Sequence, residues 1–293
     1  MTIRPWTLQN THPGLSPGLS RSGFDIRPLF WPLTIIGALF VLATFIPPHG
    51  YDLRAYWGVD PLDPYATSSA DLSGQGVFRY APPVALLFAP LGRLPIEAAQ
   101  LVWLALQLGA LWMIGRRWFL ALVLFPPVWL DLLYGNLNVM LAAAAVIGFR
   151  YAGTWAFVLL TKVTPGIGLV WFVVRREWRA LAVVAGVTLA VVGTSVAIQG
   201  VTVWREWLDV LGASSAQPIP WDSWPVPLLP RLAAAAVVVA WGGLTDRRWT
   251  VPVAVTLAMP VWWIIAFAPL VGLASPTVWR GTNGPVPRRT DPR

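Results

Sequence analysis

From residue 28 to residue 273 the chain is a succession of apolar runs separated by short polar or proline-rich breaks, and no other feature constrains its fold as much. The runs fall at about 28–46, 84–94, 96–114, 118–133, 137–149, 155–174, 180–198, 228–243 and 251–273. Of 293 residues, 56% are hydrophobic and 12% charged, where an average soluble protein carries roughly 25% charged residues. So few charges cannot cover a soluble core, and lipid must be the solvent for most of the surface. The expectation is an all-α polytopic membrane protein in the cell membrane with about eight to ten membrane elements, several too short to cross and therefore broken or re-entrant.

Nineteen Trp and 28 Pro suit interfacial belts and broken helices. The formal charge of +8 is concentrated in arginine clusters between apolar runs: Arg116 with Arg117, Arg175 and Arg176 with Arg179, and Arg247 with Arg248. That is the positive-inside pattern. No basic stripe with interleaved aromatics accompanies it, which argues against a nucleic-acid partner and leaves membrane lipids as the general one. The absence of Cys excludes disulfides, thiolate catalysis and Cys-held metal.

Residues 1–27 read as a polar cytoplasmic tail, 28–273 as the bundle and 274–293 as a basic tail. No small-x-small site follows the first run, so an uncleaved anchor helix is expected. With the basic amino terminus inside, polar loops at about 47–80 and 199–227 fall outside, and 84–94 is re-entrant or interfacial. Arginines at both ends of 155–174 favour a hairpin broken near Lys162 and Pro165 over a single kinked span.

The densest polar feature is G-Y-D-L-R-A-Y-W from Gly50 to Trp57, followed by D-P-L-D-P-Y from Asp60 and F-R-Y-A-P-P from Phe78. Asp52, just past the first apolar run, belongs at the membrane surface, where it can take a proton from a hydroxyl while a lipid tail stays in the bilayer. A solvated turn or a pair with Arg54 explains the same residue. Lys162 is the sole lysine and sits within an apolar run. An intramembrane charge of this kind points to function and to an anionic partner such as phosphate, unless the side chain snorkels. In G-N-L-N, Asn136 and Asn138 offer amides to sugar hydroxyls or a helix cap. Arg79 beside Tyr80 can clamp a phosphate or bind lipid headgroups. Weaker candidates are His49 as a base, Trp221, Asp222 and Trp224 as a sugar platform, and Asp60 with Asp63 as metal ligands. There is no P-loop, zinc-protease or dinucleotide signature.

G-Y-D at Gly50, D-P-Y at Asp63, F-R-Y-A-P-P at Phe78, G-N-L-N at Gly135 and K-V-T-P-G at Lys162, in this order, resemble the polytopic GT-C glycosyltransferases of family 87. These are polyprenol-phosphate-mannose-dependent mannosyltransferases of bacterial envelopes. The resemblance implies a GT-C type helical bundle with an extracytoplasmic active site, Asp52 as catalytic base, a polyprenyl-phosphate sugar as donor and a lipid or glycan hydroxyl as acceptor. Asn136 stands where the family usually has Gln. In that setting Lys162 and Arg79 bind the donor phosphate, while Tyr51, Arg54, Tyr56, Tyr65, Tyr80, Asn136 and Asn138 are candidates for holding sugar or acceptor. Displacement in one step inverts configuration, and a leaving group with one phosphate is served by Lys and Arg, so no metal and no cofactor is expected. A transporter or flippase of an anionic or lipid-linked substrate is the alternative; it calls for symmetry between halves, which the sequence lacks.

Overall fold

A computed structural model describes residues 50–66, 77–215 and 224–279, together with isolated positions between 32 and 39. His49, Trp221, Asp222 and most of the first apolar run lie outside the described residues. All regular structure among the described residues is helical. Three stretches are long and apolar enough to cross a membrane: Ile96–Leu124, Trp178–Gln199 and Leu228–Thr245. Pro126–Tyr134 and Asn138–Ile147 pass the same test as a pair, bent by 111° at the break between them. Further apolar helices, Ala152–Thr161, Thr164–Val174 and Ile264–Ala274, are shorter than a span.

The helices used below are α1 (Tyr51–Trp57), α2 (Pro82–Phe88), α3 (Ile96–Gly115), α4 (Phe119–Leu124), α5 (Pro126–Tyr134), α6 (Asn138–Ile147), α7 (Trp155–Thr161), α8 (Val170–Val174), α9 (Trp178–Gln199), α10 (Val201–Ser215), α11 (Leu228–Thr245) and α12 (Thr250–Leu257). Three breaks organise them. At the first, Pro126 and Pro127 open α5 and Gly135 closes it in the left-handed region at φ 70°, a conformation that costs any residue with a Cβ. At the second, Lys162 is extended (φ −141°, ψ 107°) between α7 and a 3₁₀ turn over Thr164–Leu169, so the helix is interrupted near Lys162 and Pro165. The third divides the run 251–273 into α12 and a 3₁₀ helix over Ile264–Ala274.

The run 118–133 breaks ahead of Pro126 and Pro127, where Phe125 has the extended backbone that a residue preceding Pro prefers. The run 251–273 differs from its sequence reading: it breaks around Pro260. The region 84–94 forms only α2 and a 3₁₀ turn, too short to cross. Within the polar stretch 199–227, α10 is helical and packs Val203 and Val210 into the cluster that contains Leu53, Tyr56 and Phe78.

Breaking helices inside an apolar bundle frees carbonyls that lipid cannot satisfy. Side chains fill this need at the third break. Arg231 of α11, 5% exposed, donates to the carbonyls of Val226, Leu257, Met259 and Pro260 at 2.6–3.3 Å and lies 4.9 Å over the Trp262 ring. Thr164 Oγ1 donates to the Ala258 carbonyl at 2.6 Å, tying the second break to the third. By contrast α9 turns Val183, Val187, Leu189 and Ile198 outward, as a lipid-facing helix does.

Candidate active site at the convergence of the helix breaks

Gly50 starts the site. Its φ of 70° turns the chain into α1, its N–H donates to the Leu133 carbonyl at the end of α5 at 2.8 Å, and a Cβ there would collide with the Gln100 side chain. Asp52 therefore enters beside the first break. Below it, the Gly135 carbonyl accepts both the Tyr56 hydroxyl and, at 2.9 Å, Trp103 Nε1. A second tie, from the Ala81 N–H to the Leu160 carbonyl at 3.2 Å, brings the segment holding Arg79 and Tyr80 against the end of α7 and so against Lys162.

The polar side chains then form one connected set. Asn136 Nδ2 donates to Asp52 Oδ2 at 2.7 Å. Asn136 Oδ1 accepts the Leu137 N–H at 2.7 Å and Lys162 Nζ at 3.3 Å. Lys162 Nζ also donates to Asn138 Oδ1 at 2.6 Å, and Asn138 Nδ2 donates to the Ile265 carbonyl at 3.1 Å. Residues from α1 and from all three breaks are thus linked through hydrogen bonds. Both asparagine amides are used at both ends, which fixes their orientation as well as a buried amide can be fixed.

Two further groups support this set. Gln107, fully buried on α3, donates to the Asn136 carbonyl at 2.8 Å and sets the Asn136 backbone. Asp131, also fully buried, accepts the Val139 N–H on Oδ2 at 3.0 Å, and its carbonyl accepts the Asn136 N–H at 2.9 Å. Neither is among the residues singled out by sequence. A lone carboxylate inside P-P-V-W-L-D-L-L-Y is the signal that points to Asp131, by the reasoning that singles out Lys162. Gln107 carries no comparable signal.

Burial lifts the Asp52 carboxyl above the usual carboxylate range, and the Asn136 hydrogen bond and then the Lys162 ammonium partly oppose this. Burial, and after it the Asp52 charge, pushes the Tyr80 phenol up, so it keeps its proton.

The other candidates divide by position. Tyr51 and Arg54 are exposed on α1, and Tyr51 begins an aromatic row through Tyr134 (6.1 Å) to Trp263 (5.7 Å, stacked). No Asp52–Arg54 pair forms; Asp52 bonds to Asn136 instead. Arg79 is exposed, with its carbonyl accepting Trp207 Nε1 at 3.4 Å. Tyr56 and Tyr65 are buried, 1% and 2% exposed, and their hydroxyls are engaged with the backbone at Gly135 and Tyr80. The structure uses them to position Gly135 and Tyr80 and does not open them to a ligand. Asp60 Oδ1 accepts the Leu62 N–H at 2.8 Å in a local turn, and Trp224 packs against Trp262 and Phe267, away from Asp52.

The model of glycosyltransferase family 87 matches residues 78–281, most of the chain and three of the four linked residues. The chain belongs to glycosyltransferase family 87. Asp52 lies before the matched region. Among curated proteins, this family 87 member is similar to the polyprenol-phosphate-mannose-dependent alpha-(1-2)-phosphatidylinositol pentamannoside mannosyltransferase of Mycolicibacterium smegmatis, with 28% identity over 215 residues. The alignment covers 61% of this chain and 52% of the relative, so the chain spans about half the length of the curated protein it matches. No solved structure matches.

Proposed function

We propose that this protein transfers a hexose, mannose by its kinship, from a polyprenyl-phosphate sugar to a hydroxyl of an envelope lipid or glycan, with inversion, at the extracytoplasmic face of the membrane. The observation that carries this reading is the Asn136 amide, which hydrogen-bonds the Asp52 carboxylate at 2.7 Å with one end and the Lys162 ammonium at 3.3 Å with the other. A base and a cation for an anionic leaving group are thereby held side by side without neutralising each other.

In the reaction, the acceptor oxygen bonds to the anomeric carbon as the bond from that carbon to the phosphate oxygen breaks. Its proton passes to Asp52 Oδ1 while Oδ2 stays with Asn136. The bonding electron pair leaves on the lipid phosphate, whose charge Lys162 and, from the exposed rim, Arg79 stabilise as it develops. Tyr80 keeps its proton beside Asp52 and can donate to a sugar or acceptor oxygen. Asp131 is too enclosed to attack the sugar, since it has no exposed surface and holds the Val139 N–H. This favours one displacement over a covalent glycosyl intermediate.

The test uses purified protein with a labelled polyprenyl-phosphate mannose and an envelope lipid extract. Asp52→Asn keeps the shape of the side chain and removes the base, and is expected to lower transfer by about 10²–10⁴-fold with the protein still folded and still binding donor. Retained turnover in that variant overturns the assignment. A flippase would carry the label across the bilayer with no new glycosidic bond, so product analysis separates the two readings.

A further inference from the structure

The backbone of residues 79–82 is held from four sides. The Arg79 carbonyl accepts Trp207 Nε1 of α10 at 3.4 Å, and the Tyr80 carbonyl accepts the Tyr65 hydroxyl at 2.6 Å. The Ala81 N–H donates to the Leu160 carbonyl of α7 at 3.2 Å, and the Pro82 carbonyl accepts Gln199 Nε2 of α9 at 3.1 Å. A segment that only joined two helices would not need so many anchors. Gln199 is the most fully engaged of them. Its Nε2 also donates to the Pro61 carbonyl at 2.6 Å, so one amide ties this strap to the loop that carries Tyr65. Its Oε1 accepts the Ser195 hydroxyl at 2.6 Å, and Ser195, fully buried, accepts Trp204 Nε1 at 3.2 Å. With the nitrogen and the oxygen of the amide both committed, the Gln199 side chain has one orientation.

What the strap presents is Tyr80. Its ring lies edge-on to Tyr56 and to Phe78, with both centroids 5.6 Å away. Tyr56 sits one turn along α1 from Asp52 and bonds the carbonyl of Gly135, the residue before Asn136, so Tyr80 adjoins the linked polar set through ring contact. Leu160, which anchors Ala81, is two residues from Lys162, the proposed partner of the donor phosphate. The hexose hangs directly from that phosphate. Tyr80 is half-buried, and among the described residues its hydroxyl makes no hydrogen bond. A phenol with its ring boxed, its backbone pinned and its hydroxyl left over is preorganised for a ligand.

We propose that the Tyr80 hydroxyl donates to a hydroxyl oxygen of the donor hexose, and that Gln199, through the strap, fixes Tyr80 for this contact. Gln199 and Tyr65 are positioning residues that act through Tyr80 and touch no substrate. This inference rests on the transferase reading and deepens it by giving the donor sugar its own point of recognition, apart from the phosphate. A prenyl phosphate without a sugar gains nothing from that contact. Side chains that only supported the fold would serve both ligands alike.

The test is direct binding to the purified full chain, with two probes of equal charge: a short-chain prenyl phosphate mannose and the matching prenyl methyl phosphate. Tyr80→Phe removes only the hydroxyl and is expected to weaken the mannosyl probe about three- to tenfold, as loss of one hydrogen bond does, and the methyl probe by less than about twofold. Gln199→Leu keeps the bulk and loses both donors. Alone it is expected to weaken the mannosyl probe by a similar factor, and added to Tyr80→Phe by less than about twofold more, because both changes remove the same contact. Tyr65→Phe keeps the ring and frees the Tyr80 carbonyl; it should repeat this pattern, and it serves if the Gln199 variant fails to fold. Equal loss of both probes, no loss in folded variants, or losses that multiply in the double variants overturn the role. A wild type that binds the two probes alike overturns the hexose contact itself. Because binding is read without turnover, a protein that shows the expected pattern but transfers no sugar supports the contact and counts against the transferase reading alone.

Discussion

Asn136 gives Asp52 its character. The carboxyl is raised by burial and held down by the Asn136 hydrogen bond first and the Lys162 charge second. A base works only when deprotonated, so activity is expected to fall as the pH drops through the raised Asp52 pKa, above the usual carboxylate range. Asn136→Ala removes a contact that lowers this pKa. Its acidic limb should therefore move to higher pH, and kcat/KM measured across pH reads the shift directly. A limb that stays in place or moves down would show that Asn136 does not tune the base. Tyr56 and Tyr65 mark where residue-level reading stops. Aromatic letters in a polar loop do not say which side of the loop they face, and both turn inward to hold backbone carbonyls.

Breaks in helices, and the side chains that fill them, build the site. Arg231 donates to four carbonyls around the third break, including those of Leu257, Met259 and Pro260. Arg231→Met leaves these buried acceptors unpaired, and each such loss costs about 1–3 kcal/mol. Thermal melts in detergent should show a fall of at least about 3 kcal/mol for Arg231→Met and only part of it for Arg231→Lys, which cannot fan out to as many oxygens; a Met variant as stable as the wild type would refute this. Breaks carrying a visible local cause were legible in the sequence: Pro165 beside the lone lysine, and Gly135 opening G-N-L-N. The break dividing 251–273 was not, since Pro260, which marks it, reads like Pro252 and Pro269 of the same run, which both sit inside helices. The same apolar alphabet let Asp52, Asn136, Asn138 and Lys162 stand out as anomalies and offered the same signal for Asp131, while Gln107, marked by nothing but its contacts, needed three dimensions to be seen.

For the whole molecule, orientation is the property that the charge pattern implies and that can be measured most cleanly. The chain has no Cys, so single cysteines report position without background. Leu62 is 57% exposed near the site and Arg179 is exposed beside the second arginine cluster. In intact cells a membrane-impermeant maleimide is expected to label Leu62→Cys, and to label Arg179→Cys only after permeabilisation. Labelling of both from one side would refute the topology. The amide shared between Asp52 and Lys162 carries a consequence at this scale too. In the proposed transferase, an anion arriving at Lys162 cancels positive charge that restrains the carboxylate, so donor occupancy raises the proton affinity of Asp52. By thermodynamic reciprocity a proton on Asp52 strengthens donor binding by the same factor. Basicity thus rises on donor arrival, and a vacant enzyme carries a weaker base with which to activate stray water.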